Sequence, residues 1–378
     1  MNSRRSLMMA TMVACCAAVL CVIGTLARAD LGSPGSIFFD VDTRRAQLAT
    51  PAYAAVRASC LALTFEKSAA LDPPLAGLNA TDGYGSDDRA QPFAWAMMVL
   101  SGRALAGDLV AETTLRHILS AWATAQALTA TEETHDAYYA LKRTLLPTML
   151  AYAIVRGHLD DAERVSIERW LDDLVRRVDK RFDGDVDHNN HRYLADSVLM
   201  AWGALIGDGK LYDSGLQRYR EALAQARPDG SLPLEVRRGA RASWYMRQSL
   251  ASLVTMAEIA AHQGDDLYGL NVNGVSLRQL LGFFLNSVAL PDFARRYAAE
   301  NYIPGPNPDY RQPDFGFLQR RPHGRHYLAW AEAYLGHDSE SVAGERLRSL
   351  LARTALPQRP LLDEFSGGNA TCFWGKPG

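Results

Sequence analysis

Two short stretches of this sequence carry side chains that could do chemistry together. The first, residues 187–193, contains two asparagines, two histidines and a tyrosine just before an apolar helical pattern. In the second, Arg238 and Tyr245 are seven residues apart, which is two turns of a helix and therefore one face. A carboxylate-binding group opposite a phenol and a guanidinium is what proton abstraction next to a carboxylate requires. The remaining chain is expected to be the scaffold that brings these stretches together.

The scaffold is predicted to be almost entirely helical, because apolar residues recur at spacings of three and four and strand-like alternation is nearly absent. One such buried stripe consists of Leu194, Val198, Trp202 and Leu205. The predicted helices cover roughly 44–63, 91–106, 110–128, 136–156, 160–179, 191–206, 210–226, 237–262, 274–288, 325–336 and 340–353.

The links between the predicted helices indicate how the helices are arranged. Gly107-Asp108, Gly207-Asp208 and Gly264-Asp265 each end one helical pattern, since glycine adopts the left-handed conformation that stops a helix and aspartate can cap the next one. Short links make neighbouring helices antiparallel, so the chain is predicted to form a bundle, a solenoid or a closed toroid. Segments 71–91 and 291–323 are predicted to be irregular, either as lids over a site or as surface loops.

The N-terminus has the pattern of an export signal. Arg4 and Arg5 precede an apolar run, and Ala27-Arg28-Ala29 has the small-x-small form of a cleavage site. We predict a signal peptide at residues 1–29, a single catalytic domain at 30–378 and a periplasmic or secreted mature protein. The alternative is a membrane anchor, because the apolar run is long enough to span a bilayer.

Charge and cysteine content exclude some classes of function. Removing residues 1–29 changes the formal charge from −2 to −5, which argues against general nucleic-acid binding. A polyanion would therefore have to bind in a local basic groove. The mature chain keeps Cys60 and Cys372, which are expected either as a disulfide or as two separate thiols. No CxxC or His/Cys cluster suggests zinc, so no metal or cofactor is expected.

The two stretches resemble the alginate lyase family of polysaccharide lyases. The matching motifs are Asn189-Asn190-His191, Leu232-Pro233-Leu234-Glu235, Arg237-Arg238-Gly239-Ala240-Arg241 and Tyr245. His191 lies 47 positions before Arg238 and 54 before Tyr245, which also matches the family, and the similarity is strongest over residues 187–260. The resemblance implies an all-α fold, an incomplete (α/α) toroid of antiparallel helical hairpins with an open cleft. It also implies β-elimination at a uronic acid residue without a metal.

The resemblance also assigns roles to four residues. Asn190 and His191 match the groups that bind the substrate carboxylate, Arg238 matches the third catalytic residue, and Tyr245 matches the tyrosine that transfers the proton. The C5 proton of a uronate becomes acidic only if negative charge on its carboxylate is stabilised, by these side chains and by N–H groups at a helix N-terminus. Because tyrosine has a reference pKa near ~10, the base would need nearby cations, here Arg238 and Arg241.

The sequence departs from the family pattern at positions that would bind the rest of the polymer. Leu194 stands where a tryptophan is usual, Met246-Arg247-Gln248 where His-Asn-Tyr is usual, and Asp82-Gly83-Tyr84 where a lid lysine is expected. Alginate and glucuronate polymers therefore both stay open as substrates. The expected substrate-binding residues are Arg241, His188, Tyr84, Tyr138, Lys142 and Arg143.

Two other functions are compatible with the sequence. One is a non-catalytic polyuronate-binding protein of exopolysaccharide secretion, favoured by the missing tryptophan and lysine. The other is a glycoside hydrolase, which would need two opposed carboxylates such as Glu235 and Asp187. For the lyase, the expected partner is an anionic polysaccharide, alginate or a glucuronate-containing polymer. Nucleic acid is not expected as a partner, nor is a membrane after signal cleavage, and the protein is expected to be a monomer.

Overall fold

The computed structural model describes residues 31–65, 71–79, 88–184, 187–300 and 312–377. Within these ranges the helices are α1 (Val41–Ala49), α2 (Ala54–Leu61), α3 (Gln91–Leu105), α4 (Leu109–Thr124), α5 (His135–Val155), α6 (Asp161–Arg181), α7 (Asn190–Ile206), α8 (Gly209–Gln225), α9 (Pro233–Val236), α10 (Ala242–His262), α11 (Leu277–Ala289), α12 (Asp292–Glu300), α13 (Trp330–His337), α14 (Val342–Thr354) and α15 (Ala370–Trp374). Strands β1 (Leu362–Asp363) and β2 (Gly368–Asn369) pair antiparallel. None of the described helices combines the length and apolar character needed to cross a membrane.

Burial separates the longer helices into an inner and an outer layer. Helix α7 buries 15 of its 17 residues and α10 buries 18 of 21, so both are enclosed on nearly every side. Helices α6 and α8 bury only 6 of 21 and 6 of 17, one stripe each. The inner layer runs α3, α5, α7, α10 and α13, and the outer layer α4, α6, α8, α11 and α14. The predicted incomplete (α/α) toroid is confirmed.

The glycine–aspartate links form the helix ends that their sequence predicts. Gly207 has a φ of 76°, and the Asp208 side chain accepts hydrogen bonds from the first turn of α8. Gly107 and Asp108 do the same between α3 and α4. Gly264 also has a positive φ, of 88°, after the end of α10. The first two links turn α3 directly into α4 and α7 directly into α8, each an inner helix followed by its outer neighbour, whereas α11 begins only at Leu277.

Several predicted helix boundaries were wrong, for identifiable reasons. The helix expected at 44–63 is two helices, because Pro51 has no N–H and biases Thr50 towards its extended conformation. The helix expected at 237–262 begins only at Ala242, since Gly239 has a φ of 62°. The helix expected at 325–336 begins at Trp330.

Part of the segment predicted as a long irregular loop is helix α12. Phe293 and Tyr297, four residues apart, both contact Phe283 of α11, with ring centres 5.2 and 6.1 Å away. A helix is the conformation that places residues four apart on one face, so packing against α11 accounts for the helix here.

The C-terminal segment lies against the inner layer and is linked covalently to the N-terminal part. Residues 362–374 contact α3, α5, α10 and α13, and Cys372 of α15 forms a disulfide with Cys60 of α2. Of the two states that the sequence left open for these cysteines, the structure has the disulfide. The two cysteines are 312 positions apart, so the disulfide constrains most of the unfolded chain.

We expect loss of this disulfide to lower the free energy of unfolding by about 2–4 kcal/mol, because the unfolded chain gains conformational freedom. The measurement is thermal and denaturant unfolding of the oxidised protein and of the Cys60→Ser variant. Adding a reducing agent should destabilise the parent protein and leave the variant unchanged. Equal stability of the two proteins would contradict the prediction.

Candidate active site

A cleft of about 360 Å³ opens where the N-terminal ends of α5, α7 and α10 meet the C-terminal segment. Its walls contain Asn190 and His191 from the first motif and Arg238, Arg241 and Tyr245 from the second, together with residues from distant parts of the chain. The lining residues are His135, Asp136, Tyr139, Arg143, Asn190, His191, Arg238, Arg241, Trp244, Tyr245, Gln248, Arg325, Tyr327 and Phe365. The cleft is thus built by tertiary contacts between segments that are more than 200 residues apart.

The cleft is locally basic although the chain as a whole is mildly acidic. Three of its four arginines are paired with carboxylates, in the pairs Arg143–Glu364 (2.6 Å), Arg325–Asp363 (2.6 Å) and Arg241–Asp314 (3.4 Å). The guanidinium of Arg238 has no ion-pair partner among the described residues, and Asp136 is the single carboxylate among the described lining residues. This is the local basic groove that a polyanion would require.

The first turn of α7 forms one wall of the cleft. Asn189 is the N-cap, and its side chain accepts a hydrogen bond from the backbone N–H of His191 at 2.8 Å. The backbone N–H of Asn190 donates to Glu235 at 2.5 Å. Both N–H groups therefore already donate hydrogen bonds to side chains of the protein. The expectation that these two groups would bind the substrate is wrong. An anion in the cleft would meet the side chains of Asn190 and His191 instead.

Glu235 holds the amide of Asn190 in place from behind the cleft wall. Its carboxylate is fully buried and accepts hydrogen bonds from Asn190 Nδ2 at 3.1 Å and from the Ser249 hydroxyl at 2.8 Å. Burial raises the pKa of Glu235, while these hydrogen bonds act in the opposite direction. With one amide hydrogen bound to Glu235, the orientation of the Asn190 side chain is set before any ligand arrives.

The imidazole of His191 is held between aromatic rings and a buried lysine. The Phe182 ring is nearly parallel to it at 5.9 Å, and Tyr139 and His135 meet it edge-on at 5.1 and 5.0 Å. Lys142 Nζ lies 3.3 Å from His191 Nδ1. Burial, followed by the nearby positive charges, lowers the pKa of His191 well below its usual range. The ring is therefore a neutral donor or acceptor at neutral pH.

Arg238 and Tyr245 come together in the lining of the same cleft. The guanidinium carbon of Arg238 lies 4.2 Å from the centre of the Tyr245 ring. The prediction that these two side chains lie close together is correct, but the shared helical face on which it was based does not exist. Arg238 lies in a turn before α10, whereas Tyr245 lies within α10. No hydrogen bond occupies the Tyr245 hydroxyl among the residues that the structure describes. The hydroxyl is thus available to a ligand.

The structure separates the predicted substrate-binding residues into two groups. Arg241 and Arg143 line the cleft. Three others do not: Lys142 is fully buried beneath it, Tyr138 lines a separate cavity with Arg177 and Lys180, and His188 is outside the lining. Tyr84 lies outside the described residues.

Helix geometry explains the errors on α5. Residues four apart share a helical face, so Tyr138 and Lys142 lie on one face while His135, Tyr139 and Arg143 lie on another. Only the second face reaches the cleft. The spacing of His135, Tyr139 and Arg143 was visible in the sequence and could have identified Tyr139 and His135.

For other lining residues, no feature of the sequence indicated that they would lie at the cleft. Arg325, Tyr327 and Phe365 come from the C-terminal third, far from any motif. Gln248, at a position that departs from the family pattern, also lines the cleft and lies 3.5 Å from the hydroxyl of Tyr139. Its neighbour Arg247 is fully buried, 3.8 Å from Asp363.

Among the residues that the structure describes, no group of three or more His, Cys, Asp or Glu side chains is arranged to hold a metal ion.

Comparisons with known proteins show which proteins this chain is similar to. The model of the alginate lyase family matches residues 82–294. The chain is 31% identical over 166 residues to a polysaccharide lyase of Stenotrophomonas maltophilia, covering 43% of this chain and 50% of the relative. It is 31% identical over 216 residues to an alginate lyase of Azotobacter vinelandii, covering 52% and 54%. The chain thus spans about half the length of the curated relatives it matches.

The fold is similar to that of solved alginate lyases. Alginate lyase A1-III from Sphingomonas species A1 superimposes with a TM-score of 0.75 at 22% identity, covering 92% of this chain and 98% of that one. A structure of a variant of the same enzyme, complexed with tetrasaccharide, gives the same TM-score. At this level of identity the likeness concerns the fold alone.

Proposed function

This chain belongs to the alginate lyase family, and we propose that it cleaves a 1,4-linked polyuronate by β-elimination without a metal. The observation that carries the proposal is the arrangement in the cleft. Tyr245 and Arg238 share one basic cleft with Asn190 and His191, and no described residue hydrogen-bonds the Tyr245 hydroxyl or forms an ion pair with Arg238. This arrangement combines an anion-binding wall with a proton-transfer group.

The anion-binding wall would take the carboxylate of the uronate that is cleaved. As the C5 proton leaves, negative charge builds on that carboxylate, and Asn190, His191 and Arg238 would stabilise it by donating hydrogen bonds. The surrounding structure orients these donors beforehand, through Glu235 for Asn190 and through Lys142 for His191. Preorganised donors stabilise the transition state without having to rearrange during the reaction.

Tyr245 would act first as base and then as acid. As the phenolate, its oxygen takes the proton from C5, the electrons of that bond form the C4–C5 double bond, and the bond from C4 to the glycosidic oxygen breaks. In a β-1,4-linked mannuronate or glucuronate the C5 hydrogen and the C4 oxygen lie on the same side of the ring. One phenol can therefore deliver the proton to the departing oxygen, so a second acid is not needed.

The substrate class is a polymer of mannuronate or glucuronate. These two uronates differ at C2, away from the atoms that react, so Asn190, His191, Arg238 and Tyr245 suit both. Gln248, which departs from the family pattern and lies in the cleft, is a position where the binding surface of this chain differs from the family.

The decisive experiment exposes the purified protein to a panel of polymannuronate, polyguluronate and polyglucuronate. The expected result is a rise in ultraviolet absorbance from the unsaturated product with at least one polymer of mannuronate or glucuronate. A folded protein that binds a polyuronate without forming product would instead be the non-catalytic binding protein. A folded protein inactive on the whole panel would contradict the proposed activity.

The glycoside hydrolase alternative has little support in the cleft. That reaction uses two carboxyl groups on either side of the scissile bond. Of the two candidates, Glu235 is fully buried behind Asn190. The carboxylate of Asp187 forms a hydrogen bond with His135, with 2.7 Å between Oδ1 and Nε2. Asp136 is the one carboxylate among the described lining residues, so the required pair is not assembled there.

We further propose that residues 1–29 are an export signal and that residues 30–378 act as a monomeric periplasmic or secreted domain. The basic, apolar and small-residue pattern of the N-terminus supports this, as does the Cys60–Cys372 disulfide, because disulfides persist in oxidising compartments. N-terminal sequencing of the exported protein should begin at Asp30. An uncut protein retained in the membrane would contradict the proposal.

A further inference from the structure

The amino group of Lys142 is enclosed beneath the cleft with three partners around it. Its Nζ lies 2.9 Å from the carbonyl oxygen of His191, 3.3 Å from His191 Nδ1 and 3.4 Å from the centre of the Phe182 ring. An ammonium group has three N–H donors and no acceptor. A carbonyl oxygen, an imidazole lone pair and an aromatic face provide one acceptor for each of these donors.

The position of Lys142 has a direct consequence for the imidazole. A neutral imidazole has one N–H donor and one acceptor nitrogen, and the partner of one nitrogen decides the state of the other. An ammonium cannot accept a hydrogen bond, so a charged Lys142 requires Nδ1 to be the acceptor and Nε2 to carry the hydrogen. His191 Nε2 has no hydrogen-bond partner among the described residues, and the ring lines the cleft.

We propose that Lys142 is a positioning residue that holds His191 in the Nε2–H tautomer, so that the imidazole presents a hydrogen-bond donor to the substrate carboxylate. This inference rests on the proposed lyase function for its role in catalysis. With the opposite tautomer, the lone pair of Nε2 would face the carboxylate and repel it. The tautomer thus decides whether His191 stabilises or opposes the charge that develops.

Opposing influences act on the charge of Lys142. Burial lowers the pKa of Lys142 well below its usual range, and the nearby cations Arg192 and Arg143 act in the same direction, whereas the carboxylates of Asp187 and Asp196 act in the opposite direction. The Phe182 ring face, 3.4 Å from Nζ, also favours the cation because the face of an aromatic ring is negative. A neutral amine can either donate to Nδ1 or accept from it, so a neutral Lys142 would no longer fix one tautomer, and the two states of the pair can be distinguished by experiment.

The first test measures the tautomer directly in the folded protein. Two-bond ¹H–¹⁵N correlation spectra of ¹⁵N-histidine-labelled protein report which ring nitrogen is protonated, and the His191→Ala variant identifies the signals of His191. The expected result is an unprotonated Nδ1 and a protonated Nε2 at neutral pH. A protonated Nδ1 would overturn the proposal. This measurement needs neither turnover nor a lysine variant.

The second test replaces the lysine by an apolar residue of similar length. In Lys142→Met we expect His191 to lose its single tautomer and kcat on the active polyuronate to fall by about 10- to 100-fold, with a smaller change in KM. Lys210→Met, on the exposed side of α8, is the matched control and should behave as the parent protein. An unchanged His191 spectrum and kcat in Lys142→Met would refute the positioning role.

The two proposals can fail separately. If the parent protein shows the Nε2–H tautomer but forms no unsaturated product on any polyuronate, the lyase function fails and the Lys142–His191 arrangement remains. If the protein is an active lyase with the opposite tautomer, the positioning role fails alone.

Discussion

Replacing Tyr245 by phenylalanine should reduce kcat on the active polyuronate by about 10⁴-fold, at the upper end of what general acid–base catalysis contributes. The expected loss is large because the same oxygen would remove the C5 proton and protonate the leaving group, so both steps lose their proton carrier. Arg238 stacks on the ring and not on the hydroxyl, at 4.2 Å from the ring centre, so phenylalanine preserves that contact. Substrate binding should therefore change much less than turnover.

The measurement is the rate of appearance of the unsaturated product, with circular dichroism to verify the fold and calorimetry to measure polymer binding. The matched control is Tyr138→Phe, since Tyr138 lies on another face of α5 and lines a separate cavity. That control should keep the activity of the parent protein. Substantial turnover by Tyr245→Phe would exclude this tyrosine as the proton carrier.

Replacing Arg238 by alanine should lower kcat by about 10²- to 10³-fold, the range measured when one donor to a developing oxyanion is removed. Arg238 has no ion-pair partner among the described residues, whereas the other three arginines of the cleft are paired with carboxylates. Its positive charge is therefore the least neutralised of the four. Because the carboxylate gains charge in the transition state, kcat should fall more than KM rises.

Two further variants sharpen this test. Arg238→Lys keeps the charge but loses the planar donor pair, so it should recover only part of the activity. Arg237→Ala removes the same charge from the preceding residue, which does not line the cleft, and should have little effect. If Arg237→Ala and Arg238→Ala lose activity equally, a general electrostatic effect would replace the specific role assigned to Arg238.

The local part of the fold could be predicted from the sequence, because it depends on neighbouring residues. Gly207 and Asp208 terminate one helix and cap the next through their own backbone and side chain, so their effect was visible without the tertiary structure. The apolar stripe that includes Trp202 is likewise a property of helical spacing, and it is buried as expected. Helix breaks caused by one residue were harder to predict, because the helical patterns around Gly239 and Pro51 continue on both sides of the break.

The sequence by itself determined the succession of antiparallel helices, and the resemblance of its motifs to the alginate lyase family identified four residues that share one cleft: Asn190, His191, Arg238 and Tyr245. Only the tertiary structure decided which face of α5 reaches that cleft, that Lys142 lies beneath it, and that Arg325 and Phe365 complete its lining. The physical reason is that helix capping and periodicity act between residues a few positions apart. Burial, ion pairing and the shape of a cleft depend instead on segments that meet only when the two helical layers close around the core.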